Sequence, residues 1–184
     1  MEFHDISYLK NGTPRQQEAY TILQQNKVLE KLQAFDPVLV GTIPINVDIE
    51  TSDLDIICCF KNKDFFRDTI VSLFKTSQHF SIREREDKED TVIAGFYADG
   101  FMFEIFGQHI LSRQQFGYRH MLIEYRLLNK FGEAFRKKVI ALKKQGYKTE
   151  PAFAKLLGLP GDPYQALLQL EEATGEHLND TNGY

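Results

Sequence analysis

The spacing of apolar residues along this chain changes character several times, and each change marks an element. From Thr13-Pro14 onward, Tyr20, Leu23, Val28, Leu29, Leu32 and Phe35 form an approximate stripe at helical spacing. RQQEAYTILQQNKVLEKLQAF therefore reads as a capped helix with Pro14 at its first position, ended by Asp36-Pro37. The short apolar run Val38 to Val40 reads as a strand that stops at Gly41-Thr42. A polar loop is expected next, then Ser52-Asp53-Leu54-Asp55 leading into a second strand from Leu54 to Phe60. Asn62 is placed to cap the helix KDFFRDTIVSLFKTSQ, which carries Phe65, Phe66, Ile70, Leu73 and Phe74. Three strands follow, His79 to Glu86, Thr91 to Tyr97 and Phe101 to Phe106. The first pair is joined by the charged turn Asp87-Lys88-Glu89-Asp90, the second by Ala98-Asp99-Gly100, a strong hairpin signal.

Beyond Phe116 the pattern is helical: Phe116 to Phe131, Glu133 to Gln145, Glu150 to Leu157 and Pro163 to Thr174, each bounded by Gly or Pro. The closing GEHLNDTNGY is polar and expected to be loose. The order predicts an α+β fold, a small mixed β-sheet with helices packed on one side, followed by a helical C-terminal half. The division is expected near residue 110, with residues 111–184 forming a helical region packed on the first part.

Composition narrows the class. A chain of 184 residues with 42% hydrophobic content can bury a real core as one domain with a helical appendage. The net charge of −4 and pI near 5.8 give no global attraction to nucleic acid, although a local basic groove is compatible with them. No apolar run approaches the roughly 20 residues that cross a bilayer. MEFHDISYLKNG has no basic segment followed by an apolar one, so no secretory signal is expected. The two cysteines, Cys58 and Cys59, are strand neighbours that face opposite ways, which fits a reducing, cytoplasmic setting rather than a disulfide scaffold.

The chemistry concentrates around Asp53 and Asp55. Strand side chains alternate, so the two carboxylates point the same way while Leu54 and Ile56 point the other. Adjacent carboxylates repel unless a cation sits between them, and an oxygen-only donor set suits magnesium. Glu104 is the one charged residue in the apolar run FMFEIF. A buried carboxylate there demands a cation, either a metal or an arginine such as Arg83 or Arg85; the alternative is that it points outward. The arginines Arg83 and Arg85 should share one face of their strand, with Glu84 and Glu86 on the other, as on a charged edge strand. Asp48 and Glu50 read as solvated. Arg113, Arg119 and His120 could reach a cleft, with structural or surface roles the simpler assignment; His109 reads as a hydrogen-bonded loop residue. Tyr118 and Tyr125 read as core, Cys58 and Cys59 as small strand hydrophobes. Lys137-Lys138 and Lys143-Lys144 read as a solvated helix face.

Gly41-Thr42, ten residues, then Asp53-Leu54-Asp55, with Glu104 on a later strand, resembles the signature of the nucleotidyltransferase superfamily that includes DNA polymerase beta. The likeness runs from about Thr13 to Phe106, and the whole chain is also similar to a bacterial family of uncharacterised members within it. Thr42 stands where serine is commoner, and the loop Ile43-Pro44-Ile45-Asn46-Val47 has fewer arginines than in many members. The resemblance implies a nucleotidyltransferase-like catalytic domain over residues 1–110. It implies a magnesium-dependent enzyme, with two ions when an NTP is bound, that moves an NMP group from the NTP to a hydroxyl. Asp53, Asp55 and Glu104 would be the catalytic and metal-binding residues. Gly41, Thr42 and Ser52 would bind the nucleotide phosphates. The acidic pI favours a small molecule or protein acceptor over a polynucleotide. The amphipathic helical half could complete an acceptor pocket or form a homodimer interface. A non-catalytic nucleotide-binding or interaction module on the same fold is the main alternative, and a phosphodiesterase or nuclease a further one.

Overall fold

The computed structural model of the chain describes residue 3 and residues 5–85 and 90–173. The strand end at Glu86, most of the turn Asp87-Lys88-Glu89-Asp90, Thr174 and the closing GEHLNDTNGY lie outside these residues. The chain divides into two compact units, one ending at Tyr118 and the other beginning at Arg119.

The first unit opens with the helix α1 (Pro14–Asn26), whose N-terminus carries a full capping box. The Gln16 N–H donates to the Thr13 hydroxyl, and the Thr13 N–H donates to the Gln16 amide oxygen. The helix expected to run on to Phe35 breaks at Lys27, which sits in the left-handed region at φ 50°. The short helix α2 (Val28–Lys31) and a 3-10 turn at Gln33–Phe35 continue it. The break rotates the inward stripe so that Ala19, Ile22 and Leu23 before it and Val28, Leu32 and Phe35 after it all stay buried. β1 (Val38–Val40) and β2 (Leu54–Cys59) follow. The helix α3 (Lys63–Phe74) is capped by Asn62, whose side-chain oxygen accepts from the Phe65 N–H at 2.8 Å. α3 stops short of the expected Gln78, which already belongs to β3 (Gln78–Arg85). β4 (Thr91–Ala98) and β5 (Phe101–Gln108) are joined by Asp99 and Gly100, both at positive φ, as a tight hairpin turn requires.

These strands make one mixed five-stranded sheet in the order β1-β2-β5-β4-β3. Only β2 and β5 run parallel; the other neighbours are antiparallel. One face carries Leu39, Leu54, Ile56, Cys58, Val92, Ala94, Phe96, Phe101, Phe103 and Ile105, and packs with α1, α2 and α3 into the main core. The near-parallel rings of Phe74, Phe96 and Phe103 stack through it. The opposite face therefore presents Asp55, Glu104, Gly95 and Arg83. Strand alternation thus puts Asp55 and Glu104 on the face away from the main core, which also carries the buried Val40, Ile57 and Ile93.

The second unit holds most of the long helix α4 (Phe116–Lys144), interrupted at Gly132 by non-helical backbone (φ 72°, ψ −166°), with α5 (Thr149–Leu157) and α6 (Pro163–Ala173). The glycine boundary read from the sequence is this kink. Arg119 donates to Glu171 Oε2 through Nη2 at 2.6 Å and Nε at 2.9 Å. Lys143, expected on a solvated face, is buried, because it lies one helical turn beyond the fully buried Val139 and shares its inward side. Glu124 is buried as well, and among the described residues its Oε1 has no hydrogen-bond partner. Burial first, then the nearby Glu150 carboxylate, pushes the Glu124 acid group well above the usual carboxylate range, with Lys143 opposing.

A carboxyl whose pKa is raised on folding binds its proton more tightly in the native state. Its contribution to stability is present below the unfolded pKa and is lost as pH rises through the folded one. Glu124→Gln should therefore raise stability at pH 8 and flatten the decline between pH 5 and pH 8, measured by urea denaturation across that range. No change in the pH profile would show that Glu124 is not the buried acid of this unit.

Candidate metal centre

The site begins where β1 ends. Gly41 takes φ 82°, and a Cβ there would run into Asp55 Oδ2, so the missing side chain makes room for the carboxylate. The chain then folds into a turn, with the Val47 N–H donating to the Thr42 carbonyl at 3.1 Å and the Asn46 N–H to the Ile43 carbonyl at 3.2 Å. The loop expected to be polar is anchored by apolar residues, since Ile43, Ile45 and Val47 are all buried. Gln16, the capping residue of α1, fixes it further: its side-chain N–H2 donates to the carbonyls of Ile43 at 2.8 Å and Pro44 at 3.2 Å. The Thr42 side chain reaches further along the loop. Its hydroxyl donates to Ser52 Oγ at 3.2 Å, and Ser52 Oγ also accepts from the Ile49 N–H at 2.9 Å, closing the loop just ahead of Asp53.

The register of the sheet aligns the acidic residues. Val40 pairs with Asp55, Asp55 with Glu104, Glu104 with Gly95, and Gly95 with Ser81, giving one row across all five strands. Asp53, just ahead of β2, projects to the same side as Asp55. Among the described residues, Asp53, Asp55 and Glu104 form the one group of three acidic, His or Cys side chains whose ligand atoms all lie within 4.8 Å of one another. At such a spacing each pair of like charges repels by about 3–4 kcal/mol at an effective dielectric of about 20. The three are half-buried, so water screens them only in part.

The donor set tests well for a hard divalent cation. All ligand atoms are carboxylate oxygens, none is nitrogen or sulfur, and their spread is comparable to two metal–oxygen bonds of about 2.1 Å placed end to end. Glu104 is not held in the apolar setting its strand suggests. The apolar neighbours Phe103 and Ile105 face the core, and Glu104 stands on the outer face. Arg83, from the edge strand β3, brings Nη2 to 3.6 Å from Glu104 Oε1. Glu84, the next residue, faces α3 and meets Lys63 at 3.2 Å and Arg67 at 3.3 Å, which together hold its carboxyl below the usual range. Period-two segregation of arginine from glutamate on this strand is thus visible at Arg83 and Glu84.

The other candidates lie elsewhere. His109 Nδ1 is 2.8 Å from the Phe60 carbonyl, a loop contact. Arg119 and His120 are engaged within the helical unit, His120 Nε2 lying 3.0 Å from the Tyr164 carbonyl. Arg113 and Glu50 are exposed, Asp48 is half-buried, and Tyr118 is buried. Cys58 is a buried free thiol and Cys59 a partly buried one. The residue that sequence reasoning missed is Gln16. Its place three residues after Thr13 marks a capping box, but nothing local shows that its amide also reaches the loop after Gly41.

The chain belongs to the family described as "Domain of unknown function (DUF4269)", whose model matches residues 21–170. Among curated proteins none matches. Among solved structures the chain is similar in fold to the GLD-2/RNP-8 complex, at a TM-score of 0.56 and 14% identity, covering 97% of this chain and 73% of that one. It is also similar to Cid1, described by its RNA terminal uridylyl transferase activity, at a TM-score of 0.53 and 12% identity, over 72% of this chain and 41% of that one. The polymerase core of TRAMP, an RNA surveillance complex, aligns at a TM-score of 0.52 and 10% identity, over 96% of this chain and 56% of that one. At these identities the likeness is one of fold, the nucleotidyltransferase fold with a helical C-terminal half. The chain spans less than two thirds of the length of the Cid1 and TRAMP polymerase chains. Among the described residues no helix is long and apolar enough to cross a membrane.

The contact between Gly41 and Asp55 yields a direct test. Gly41→Ala should destabilise the protein by about 1–2 kcal/mol, through a strained positive φ and through crowding of the Asp55 carboxylate. Asp55→Ala removes the crowding and leaves the strain, so a double-mutant cycle in urea should give a coupling of at least about 0.5 kcal/mol. Additive effects would place Asp55 away from the Gly41 backbone.

Proposed function

We propose that this protein is a metal-dependent nucleotidyltransferase that moves an NMP group from an NTP to a hydroxyl of an acceptor. The observation that carries the reading is the convergence of Asp53, Asp55 and Glu104 beside the Gly41-Thr42 turn. The nucleotidyltransferase fold of its structural neighbours supports it. In this reading Asp53 and Asp55 bind magnesium, which when bound neutralises charge on the triphosphate and on the leaving pyrophosphate. The Gly41-Thr42 turn lets backbone N–H groups approach the phosphates, with the Thr42 and Ser52 hydroxyls lining the same turn. Glu104 shares the metal-binding set and accepts the proton of the attacking hydroxyl. The acceptor oxygen forms a bond to the α-phosphorus, the bond from that phosphorus to the bridging oxygen breaks, and pyrophosphate departs with the electron pair. The preference for a small-molecule or protein acceptor, drawn from the acidic pI, receives no support from the neighbours, two of which are described through RNA.

The test is calorimetric titration with each of the four NTPs, with and without magnesium, on the wild type, Asp53→Asn and the double Asp53→Asn, Asp55→Asn variant. Magnesium-dependent binding of at least one NTP is expected, weakened by about tenfold or more in the single variant and lost in the double one. Transfer from an α-labelled NTP should fall roughly 100-fold or more in Asp53→Asn. Metal-independent binding, or binding unchanged in the double variant, would contradict the reading. Hydrolysis of NTP with no labelled acceptor would instead favour a phosphodiesterase.

A further inference from the structure

The carboxylate row has two different ends. At one end, next to Asp55, lies the Gly41 turn. At the other, beyond Glu104, lie Gly95 of β4 and Ser81 of the edge strand β3. An in-line displacement at phosphorus places the leaving group and the attacking oxygen on opposite sides of the phosphoryl group. If the triphosphate is held at the Gly41 end, the attacking hydroxyl must come from the Gly95 end.

Met102 and Tyr97 pair across β5 and β4 on the outer face, and each is 39% exposed. The Met102 methyl lies 2.9 Å from where a Gly95 Cβ would stand, so the thioether lies across the side-chain-free position between Glu104 and Ser81. A thioether and a phenol at this level make a polarizable shelf of the kind on which a flat ring stacks. On the other side of the Gly95 row, opposite Ile93, stands Arg83, with a side chain 68% exposed and a guanidinium 3.6 Å from Glu104 Oε1. That distance is beyond a good hydrogen bond, and cations bound by the carboxylates would repel the guanidinium from Glu104. Turned away from Glu104, its planar fork is suited to grip a phosphate in two places.

From these features we infer that the acceptor is a nucleotide unit, with its hydroxyl at Glu104, its base on the Met102–Tyr97 shelf and its phosphate on Arg83. This deepens the proposed nucleotidyltransferase reading and rests on it. A free nucleoside monophosphate and the terminal nucleotide of an oligonucleotide share this chemistry. Arg83 acts in turn as counter-ion to Glu104 and as anion receptor for the acceptor.

The experiment uses the full chain loaded with magnesium and a non-hydrolysable NTP analogue. Adenosine 5′-monophosphate, adenosine and a short oligoadenylate are titrated into it as acceptor probes. The variants are Arg83→Ala, Arg83→Lys and Tyr97→Ala, all at exposed positions and each checked by its melting curve. A phosphate-bearing probe should bind the wild type, about tenfold more weakly after Arg83→Ala, with partial recovery in Arg83→Lys. Tyr97→Ala should weaken it about threefold or more. Acceptor affinities are compared at saturating magnesium and NTP analogue, whose binding is measured for each variant and should not weaken in Arg83→Ala, which removes a cation competing for Glu104. Similar affinity for the monophosphate and the oligoadenylate would identify a small acceptor; binding of the oligoadenylate alone would identify a polymer end. Both support the inference. Adenosine binding as tightly as its monophosphate, a probe affinity unmoved by Arg83→Ala, or no probe binding to the loaded protein would overturn it while leaving the nucleotidyltransferase reading in place. Failure of the wild type to bind the magnesium–analogue pair would refute that reading and this inference together.

Discussion

Everything at the candidate site depends on one strand pairing. β2 and β5 lie side by side in parallel, in a register that sets Asp55 opposite Glu104. A parallel pair cannot be closed by a short turn. Here the intervening chain forms α3 and the β3–β4 edge before returning. A slip of one residue would exchange the two faces of β5, sending Glu104 into the phenylalanine core and Phe103 or Ile105 out to solvent. Burial of that core therefore fixes the acidic row as firmly as it fixes the fold.

The row is a deliberate electrostatic conflict. Three half-buried carboxylates lie within 4.8 Å of one another, and Arg83 stands 3.6 Å from one of them. In the proposed reading, a cation bound there removes repulsion between the carboxylates as well as forming new bonds. The neighbouring glycine contributes by subtraction. Without a side chain at Gly41 the backbone and the Asp55 carboxylate occupy space that any other residue would contest.

Much of this was legible in the sequence, and the parts that were not share a cause. Capping at Thr13 and Asn62, the short β1, the Asp99-Gly100 hairpin and the paired carboxylates are local patterns, read from residues a few positions apart. Gly41-Thr42 and Asp53-Leu54-Asp55 stood out because their spacing is local too. The apolar anchoring of the loop by Ile43, Ile45 and Val47 is hidden by Pro44 and the polar residues around it. Gln16 carries no signal of its second role, because that role joins it to residues 27 and 28 positions away. Lys143 was misplaced because a charged residue near a helix end is ordinarily solvated, whereas here the inward face continues through Val139. Glu104 stood out as the one charge in an apolar run, and two of the readings open for it, pointing outward and pairing with Arg83, describe where it stands.

The most direct test of the central claim is crystallographic. Crystals grown with Mn2+ and a non-hydrolysable NTP analogue should show anomalous density coordinated by Asp53 and Asp55, with Glu104 turned toward it and away from Arg83, and the triphosphate against the Gly41-Thr42 turn. Anomalous density elsewhere, or a nucleotide bound with the three carboxylates left uncoordinated and Arg83 still on Glu104, would contradict the account.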